Sequence, residues 1–435
     1  MTEREFATDV VRRLRDAGHE ALFAGGCVRD QLLGREPDDF DIATDARPEQ
    51  VRRLFRRTVA VGVSFGVVEV LGRKPHKVQV ATFRSDGAYT DGRHPDAVTF
   101  STAREDAQRR DFTINGMFFD PLGGRVIDYV GGEADLRAGV VRAIGDPAAR
   151  FTEDKLRLLR AVRFATRFGF ALDSTTADAI RAMAGQVRVV SAERIADELR
   201  KLLTGPRRAE GMRLLEDVGL IAPILPELLP TQGLLQGPPA APTGDLWEHT
   251  LRVIELLPAT ASFELTFAAL LHDVGKPRVV GRTPDRYTFH GHEHVGKRMA
   301  GDICTRLRLS NIETSRIVWL VEKHQVLCDA PHMRRSVLKP LLAHAGIVEL
   351  LSLHRADANA SGRPVDHVDF CDQCLREWPP EELNPLPLLT GTDLIAMGLS
   401  PGPEFKRLLD AVREAQLEGS IRTNQQATAL ARSLL

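Results

Sequence analysis

Cysteine is scarce: five in 435 residues, at positions 27, 304, 328, 371 and 374, with no spacing that would build a disulfide framework. An odd, scattered set fits a reducing compartment, and the expected location is cytoplasmic. Cys371 and Cys374 form a lone Cys-x-x-Cys with no second pair to complete tetrahedral zinc. They read as ordinary side chains unless His367 and a distant ligand join them. No apolar run is long enough to cross a bilayer, so no membrane partner is expected. The N-terminal stretch MTEREFATDVVRRLRDAGHE places Phe6, Val10, Val11 and Leu14 on one face of an amphipathic helix and lacks the apolar centre of a signal peptide. Net charge is missing too: 58 Lys and Arg stand against 59 Asp and Glu. Any nucleic-acid surface must therefore come from local segregation of arginine rather than from a basic whole. No internal repeat is evident.

What is present is ample apolar content, 43%, and a length that implies two to four domains. The stretch ALFAGGCVRDQLLGREPDDFDIATD, residues 21–45, organises the rest. Leu22 and Phe23 end a strand; Gly25-Gly26 turns the backbone, with no Cβ in the way, into a helix that holds Val28, Leu32 and Leu33. A helix opening after glycines points free N–H groups outward, which suits a triphosphate, and Arg29 in its first turn can reach the same phosphates. Gly34 stops that helix. Asp39 and Asp41 then project from one side of a strand while Phe40 turns to the core, and two carboxylates on one face suit Mg²⁺. An isolated Asp-x-Asp is usually a solvated turn; the Gly-Gly and Arg just upstream reverse that reading.

Pro48 to Phe55 reads as a helix, and VAVGVSFGVVEVLG with HKVQVATF as further strands of a small mixed sheet. Residues 84–97, with Tyr89 their only large ring, have the composition of a loop at a sheet edge, either a plain connector or a cover for a nucleotide. In the following segment, Arg110 and Asp111 are either a surface pair or a phosphate donor and a ribose acceptor.

Residues 153–170 read as one helix with a basic stripe of Arg157, Arg160, Arg163 and Arg167 beside an apolar set. Asp154 and Arg157, one turn apart, could face the hydrogen-bonding edge of a base while Arg160 and Arg163 continue towards phosphates. A solvated face with ion pairs is the commoner meaning of such a pattern. Ser191 N-caps the next helix, and the Pro- and Gly-rich residues 229–245 are the clearest linker.

Beyond it come His249 on a helix, His272-Asp273 on another, His290, His292 and His294, then His324 and Asp357. Each alone would be an ordinary histidine or aspartate; together they have the ligand types for a divalent cation that could generate a hydroxide for phosphate-ester hydrolysis. The tail repeats a helical period at Leu408, Leu409, Val412 and Ala415.

In order and spacing, GGCVRDQLLG with DFD, RRDFTING, EDKLRLLRAVRFATRFGF and SAERIADELRKL resemble the signature motifs of class II tRNA nucleotidyltransferases, the bacterial CCA-adding enzymes. Residues 245–357 resemble the HD metal-dependent phosphohydrolase domain, with His249, His272, Asp273 and Asp357 on its ligand pattern and His292 and His324 as possible additions. The resemblance implies an α+β fold: a nucleotidyltransferase head at 1–145, a helical neck and body at 146–240, an HD domain at 241–360 and a helical tail at 361–435. It implies template-independent CCA addition to tRNA from CTP and ATP, with Gly25, Gly26 and Arg29 on the triphosphate and Mg²⁺ on the catalytic Asp39 and Asp41. Arg110 and Asp111 would contact the nucleotide, while Asp154, Arg157, Arg160 and Arg163 form the base pocket. The HD ligands would hold Mg²⁺ or a divalent transition metal. A poly(A) polymerase, a CC-only or an A-only enzyme are rivals within the class; Tyr89, Arg93 and Asp96 in the 84–97 loop argue against the CC-only form. A phosphohydrolase with an RNA-gripping head is the rival from another class. One departure is Gly116, where the family usually has Ala.

Overall fold

The amphipathic N-terminal stretch forms α1 (Glu3–Asp16), opened by a capping box in which Thr2 and Glu5 exchange hydrogen bonds. Its predicted apolar face, Phe6, Val10, Val11 and Leu14, is buried together with Ala7. Burial of each larger side chain contributes about 2 kcal/mol, which holds a helix that propensity alone would leave marginal. The computed structural model describes residues 2–62, 66–73, 76–87, 98–237, 244–283 and 285–435 in two units, Met1–Pro226 and Glu227–Leu435.

The first unit is built on a mixed sheet. Its strands are β1 (Ala21–Ala24), β2 (Asp41–Thr44), β3 (Thr58–Gly62), β4 (Val67–Leu71), β5 (Lys77–Thr82), β6 (Phe118–Asp120) and β7 (Arg125–Ile127), in spatial order β3-β4-β5-β2-β1-β6-β7. Only the β2–β5 pairing is parallel, in a register that sets Asp41 beside Gln79; the rest are antiparallel. Between β1 and β2 runs α2 (Gly26–Leu32), and α3 (Pro48–Leu54) follows β2. Strands β6 and β7 have no counterpart in the sequence reading, because three residues are too few to show an alternation. Arg84–Asp86 pairs with Val98–Phe100 in a separate two-stranded ribbon. Tyr89, Arg93 and Asp96, the residues on which the loop reading rests, lie outside the described residues.

Helices complete this unit. The single helix expected over 153–170 is in fact two, α4 (Pro147–Glu153) and α5 (Leu156–Phe168), with Asp154 extended between them. The physical reason is local: the Asp154 carboxylate accepts from the Leu156 amide at 3.0 Å and so starts the second helix. Helix α6 (Ala192–Leu203) packs on α5.

The second unit is helical. Helices α7 (Leu246–Leu256), α8 (Phe263–Leu271), α9 (His292–Arg306), α10 (Asn311–Lys323), α11 (Ile347–Ala360) and α12 (Asp366–Glu377) precede a small terminal bundle of α13 (Pro403–Glu418) and α14 (Asn424–Ser433). Leu408 and Val412 of α13 enter that bundle's core with Leu389, Leu394, Ala427 and Ala431, as the period of the tail predicts.

Candidate functional site

In the first unit a cleft of about 650 Å³ is lined by eight arginines (29, 109, 110, 157, 160, 163, 167 and 194) and four aspartates (39, 41, 111 and 154), with Gly25 and Gly26 at the start of α2. The sequence-predicted residues of this unit therefore meet in one place.

The acidic end is fixed by alternation. Phe40 is buried and packs on Phe23, ring centroids 5.2 Å apart, so Asp39 and Asp41 on either side of it are left exposed at the edge of β2. Asp41 opens to solvent on one side and is hemmed in by protein on the others. That packing first, and Asp39 second, push its carboxyl up to about 6 against the pull of Arg110. Two carboxylates that repel each other in this way fit a divalent cation.

Gly25 has φ of +72°, and a Cβ there would stand 2.8 Å from Nη1 of Arg110. Only glycine admits that turn beside that guanidinium. Arg29 is buried, gripped by both carboxylate oxygens of Asp30 at 2.9 and 3.0 Å and donating to Oδ1 of Asn115. Arg110 and Arg109 share the buried Asp106, whose carboxylate accepts from Arg110 at 2.9 and 3.2 Å.

Asp111 is held to about 2: burial would raise it, but Arg160, at 2.6 and 2.9 Å, and the Asn115 amide overcome burial. Its other oxygen also accepts from the Phe112 amide. Asp154 accepts from Arg194 at 2.7 Å, and Arg157 donates to Glu153 at 2.6 Å and to the carbonyls of Arg150 and Arg109 at 3.1 Å each. Arg163 donates to Glu198, and both are buried. The basic stripe is thus the wall of a cleft.

A second cluster lies in the other unit. His249 stands on α7, while His272 ends α8 and Asp273 lies in the turn after it; the reading that put the latter pair on a helix is corrected by one residue. His292 opens α9, His324 ends α10 and Asp357 lies on α11. The side chains fall into two trios, His249 with His272 and Asp357, and Asp273 with His292 and His324, the ligand atoms of each within 4.8 Å of one another. His272, His292 and His324 each donate Nδ1–H to a backbone carbonyl three residues back at 2.7 Å. This sets their Nε2 lone pairs towards the centre, the arrangement that metal-ligating imidazoles adopt.

Two observations favour a cation here. Nε2 of His292 and of His324 stand 3.1 Å apart, two acceptors facing each other. Nε2 of His272 and Oδ1 of Asp273 are buried without a hydrogen-bond partner. Lys276 lies 2.6 Å from Asp273 and supplies one positive charge. Burial alone would raise Asp273; His272 and Lys276 prevail and hold it well below the carboxylate range.

Comparison with known proteins follows the same division. Residues 21–142 match the model of the poly A polymerase head domain, 169–231 the probable RNA and SrmB-binding site of polymerase A, and 246–360 the HD domain. A protein of Deinococcus radiodurans named an A-adding tRNA nucleotidyltransferase is 33% identical over 435 residues, an alignment that covers 94% of each chain. The chain belongs to the tRNA nucleotidyltransferase family. A CCA-adding enzyme of Anoxybacillus flavithermus is 44% identical over 223 residues, 51% of this chain and 55% of that protein, so the chain matches about half the length of such relatives. The crystal structure of the Bacillus stearothermophilus CCA-adding enzyme in complex with CTP covers 100% of this chain and 98% of its own, at 30% identity and a TM-score of 0.74.

Gly116, where the resemblance led to an expectation of Ala, is closely packed. A Cβ there would meet Val130 at 2.7 Å and Ile144 at 3.0 Å, so the smaller residue goes with tighter packing around it.

Sequence reasoning missed three partners of the side chains that line the cleft. Arg194, in the first turn of α6, holds Asp154. Glu198 went unnoticed, although an acid at a core-facing position, between Ile195 and Leu202 on the buried face of α6, was a legible signal. Asp106, which carries Arg109 and Arg110, had no signal beyond its place in a charged run. His367 does find company, with Cys328 and His354 rather than with Cys371 and Cys374.

Proposed function

We propose that the chain adds C, C and A to the 3′ end of tRNA from CTP and ATP, without a nucleic-acid template. The observation that carries this is that the Asp39/Asp41 pair, the Gly25-Gly26 turn and the Asp154/Arg157 pair line one cleft.

In this reading Gly25, Gly26 and Arg29 take the triphosphate, and Arg110 and Asp111 the sugar and phosphates. The 3′ oxygen of tRNA attacks the α-phosphorus, the new O–P bond forming as the bond to the β-phosphate oxygen breaks and pyrophosphate leaves. Asp39 and Asp41 would hold Mg²⁺, which when bound supplies charge neutralisation for the attacking and leaving oxygens. Asp154 accepts from the exocyclic amine of C or A, and Arg157 donates to the adjacent ring nitrogen. Guanine and uracil present the reverse order, an acceptor beside a donor, and are refused. Arg160 and Arg163 complete the wall. Glu153 and Arg194 preset the two reading side chains, which keeps their reorganisation small.

Addition of the terminal A alone is the second reading, favoured by the full-length likeness to an A-adding relative. For the second unit we infer a phosphohydrolase centre in which His249, His272 and Asp357 would hold one divalent cation and Asp273, His292 and His324 another; Oδ1 of Asp273 faces His292 at 3.2 Å and His324 at 3.5 Å, and its Oδ2 faces His272 at 3.1 Å. Transition-metal ions or Mg²⁺ there would lower the pKa of a bound water. Head, neck and body, HD domain and tail, divided near 145, 240 and 360, are the corresponding parts, and a cytoplasmic location follows from the substrate.

The test offers tRNA ending at the discriminator base, or at CC, with labelled CTP and ATP singly and together. CCA addition is expected on the first and A addition on the second; incorporation on the CC-ended tRNA only would decide for the A-only reading, and none on either would refute both. Asp154→Ala should lose discrimination against GTP and UTP.

A further inference from the structure

We propose that Cys328, His354 and His367 form a separate site for a thiophilic divalent cation of the zinc class, outside the two histidine–aspartate trios. The three side chains come from three elements: the turn that follows α10, the middle of α11 and the first turn of α12. Sequence spacing does not suggest the group; the packing of these helices makes it.

The geometry is close to what such a cation requires. The candidate ligand atoms lie within 4.8 Å of one another. A tetrahedral zinc with bonds of about 2.3 Å to sulfur and 2.0–2.1 Å to nitrogen sets ligand spacings of roughly 3.4–3.7 Å, so the trio needs a contraction on the order of 1 Å. The imidazoles of His354 and His367 meet edge to face with centroids 5.4 Å apart, so neither ring blocks the other. His354 is buried, and its Nε2 lies 3.3 Å from the Lys323 carbonyl. Donation there fixes a neutral tautomer whose other nitrogen keeps its lone pair, as metal-ligating histidines do.

The ligand types decide the metal class. One thiolate with two imidazoles is a soft-to-borderline set that prefers zinc-like ions over Mg²⁺, whereas the two trios offer only nitrogen and oxygen. Three protein ligands leave a fourth position to water. Entry is open, because Cys328 is the exposed cysteine and the other four are buried. A cation here would tie α11, which carries Asp357, to the segment after His324, and so brace the wall of the neighbouring centre.

That exposure makes the test direct. The full chain, stripped with chelator, is treated with a thiol reagent under native conditions, without metal, with Zn²⁺ and with Mg²⁺. One thiol should react quickly; Zn²⁺ should slow it at least tenfold, and Mg²⁺ should not. In parallel, Co²⁺ should produce a thiolate-to-cobalt charge-transfer band that nitrogen and oxygen ligands cannot give. The band should vanish in Cys328→Ser, weaken in His367→Ala, and persist in Cys371→Ser/Cys374→Ser. Unprotected wild-type thiol at saturating Zn²⁺, absence of the band, or a band that survives Cys328→Ser would each overturn the proposal. The protection arm uses wild-type protein and stands even if a variant misfolds.

Discussion

Replacement of Asp41 by Asn should stabilise the metal-free protein while abolishing nucleotide incorporation. In the folded chain the Asp41 carboxyl is raised from the ordinary 3.8 to about 6, by the packing around it and by Asp39. The folded state therefore holds this proton to higher pH than the unfolded chain, and stability falls as pH rises through that window. Above pH 6 the whole loss is present; below 3.8 none is. A displacement of this size corresponds to about 3 kcal/mol for a fully buried group, and because Asp41 opens to solvent, screening reduces it to on the order of 1 kcal/mol. Asn carries no charge to desolvate, so the variant should lack this fall.

All three tryptophans, 247, 319 and 378, lie in the second unit, so their fluorescence follows that unit and serves as the internal control. Urea unfolding is followed by far-ultraviolet circular dichroism with chelator present, at pH 4 and pH 7.5. The variant's first-unit transition should gain about 1 kcal/mol over wild type at the higher pH and almost nothing at the lower. Mg²⁺ should then stabilise wild type and leave the variant unmoved. Equal stability of the two proteins at pH 7.5 without metal would refute the claim that the paired carboxylates are a stored repulsion.

Glu198→Ala strands the buried Arg163 and should destabilise the first unit by about 3 kcal/mol, whereas Arg163→Met/Glu198→Leu should regain most of that and still fail in nucleotide use. Thermal melts with an incorporation assay would check both halves. Gly25→Ala forces a Cβ towards Arg110 and a side chain into φ of +72°, so incorporation should fall on the order of 100-fold while the melting transition shifts by about 1–2 kcal/mol. His292→Ala should lower the transition metal bound by the two histidine–aspartate trios from two equivalents to one, read by elemental analysis of dialysed protein; two retained equivalents would contradict the division around Asp273.

The residues with chemistry were more legible than the elements that carry them. Asp39 and Asp41 could be placed because alternation in a strand is a rule with period two, and Phe40 between them is apolar. The break at Asp154 was not legible: Leu156, Leu159 and Val162 set a helical period directly after it, and the interruption comes from a side-chain oxygen capping the Leu156 amide. Likewise the convergence of Cys328, His354 and His367 depends on how three helices pack, which no local pattern records. Periodicity reports which face of a helix is covered; it does not report by what.

The charge of the cleft shows what that missing information does. Eight arginines against four aspartates would repel one another and unsettle the wall if that were the whole account. Three further acids, Asp30, Asp106 and Glu198, lie buried behind the lining, Asp30 at 2.9 and 3.0 Å from Arg29, Asp106 at 2.6 and 2.9 Å from Arg109 and Arg110, and Glu198 against Arg163. They compensate the arginines from the protein side and, being out of the cleft, subtract little from the field a triphosphate meets. The guanidinium groups of Arg29, Arg109, Arg110 and Arg163 are thereby fixed in direction before a ligand arrives, and the binding of a polyanion need not order them. A buried acid on the apolar face of a helix beside an arginine-rich one is therefore a sign of a preset anion site.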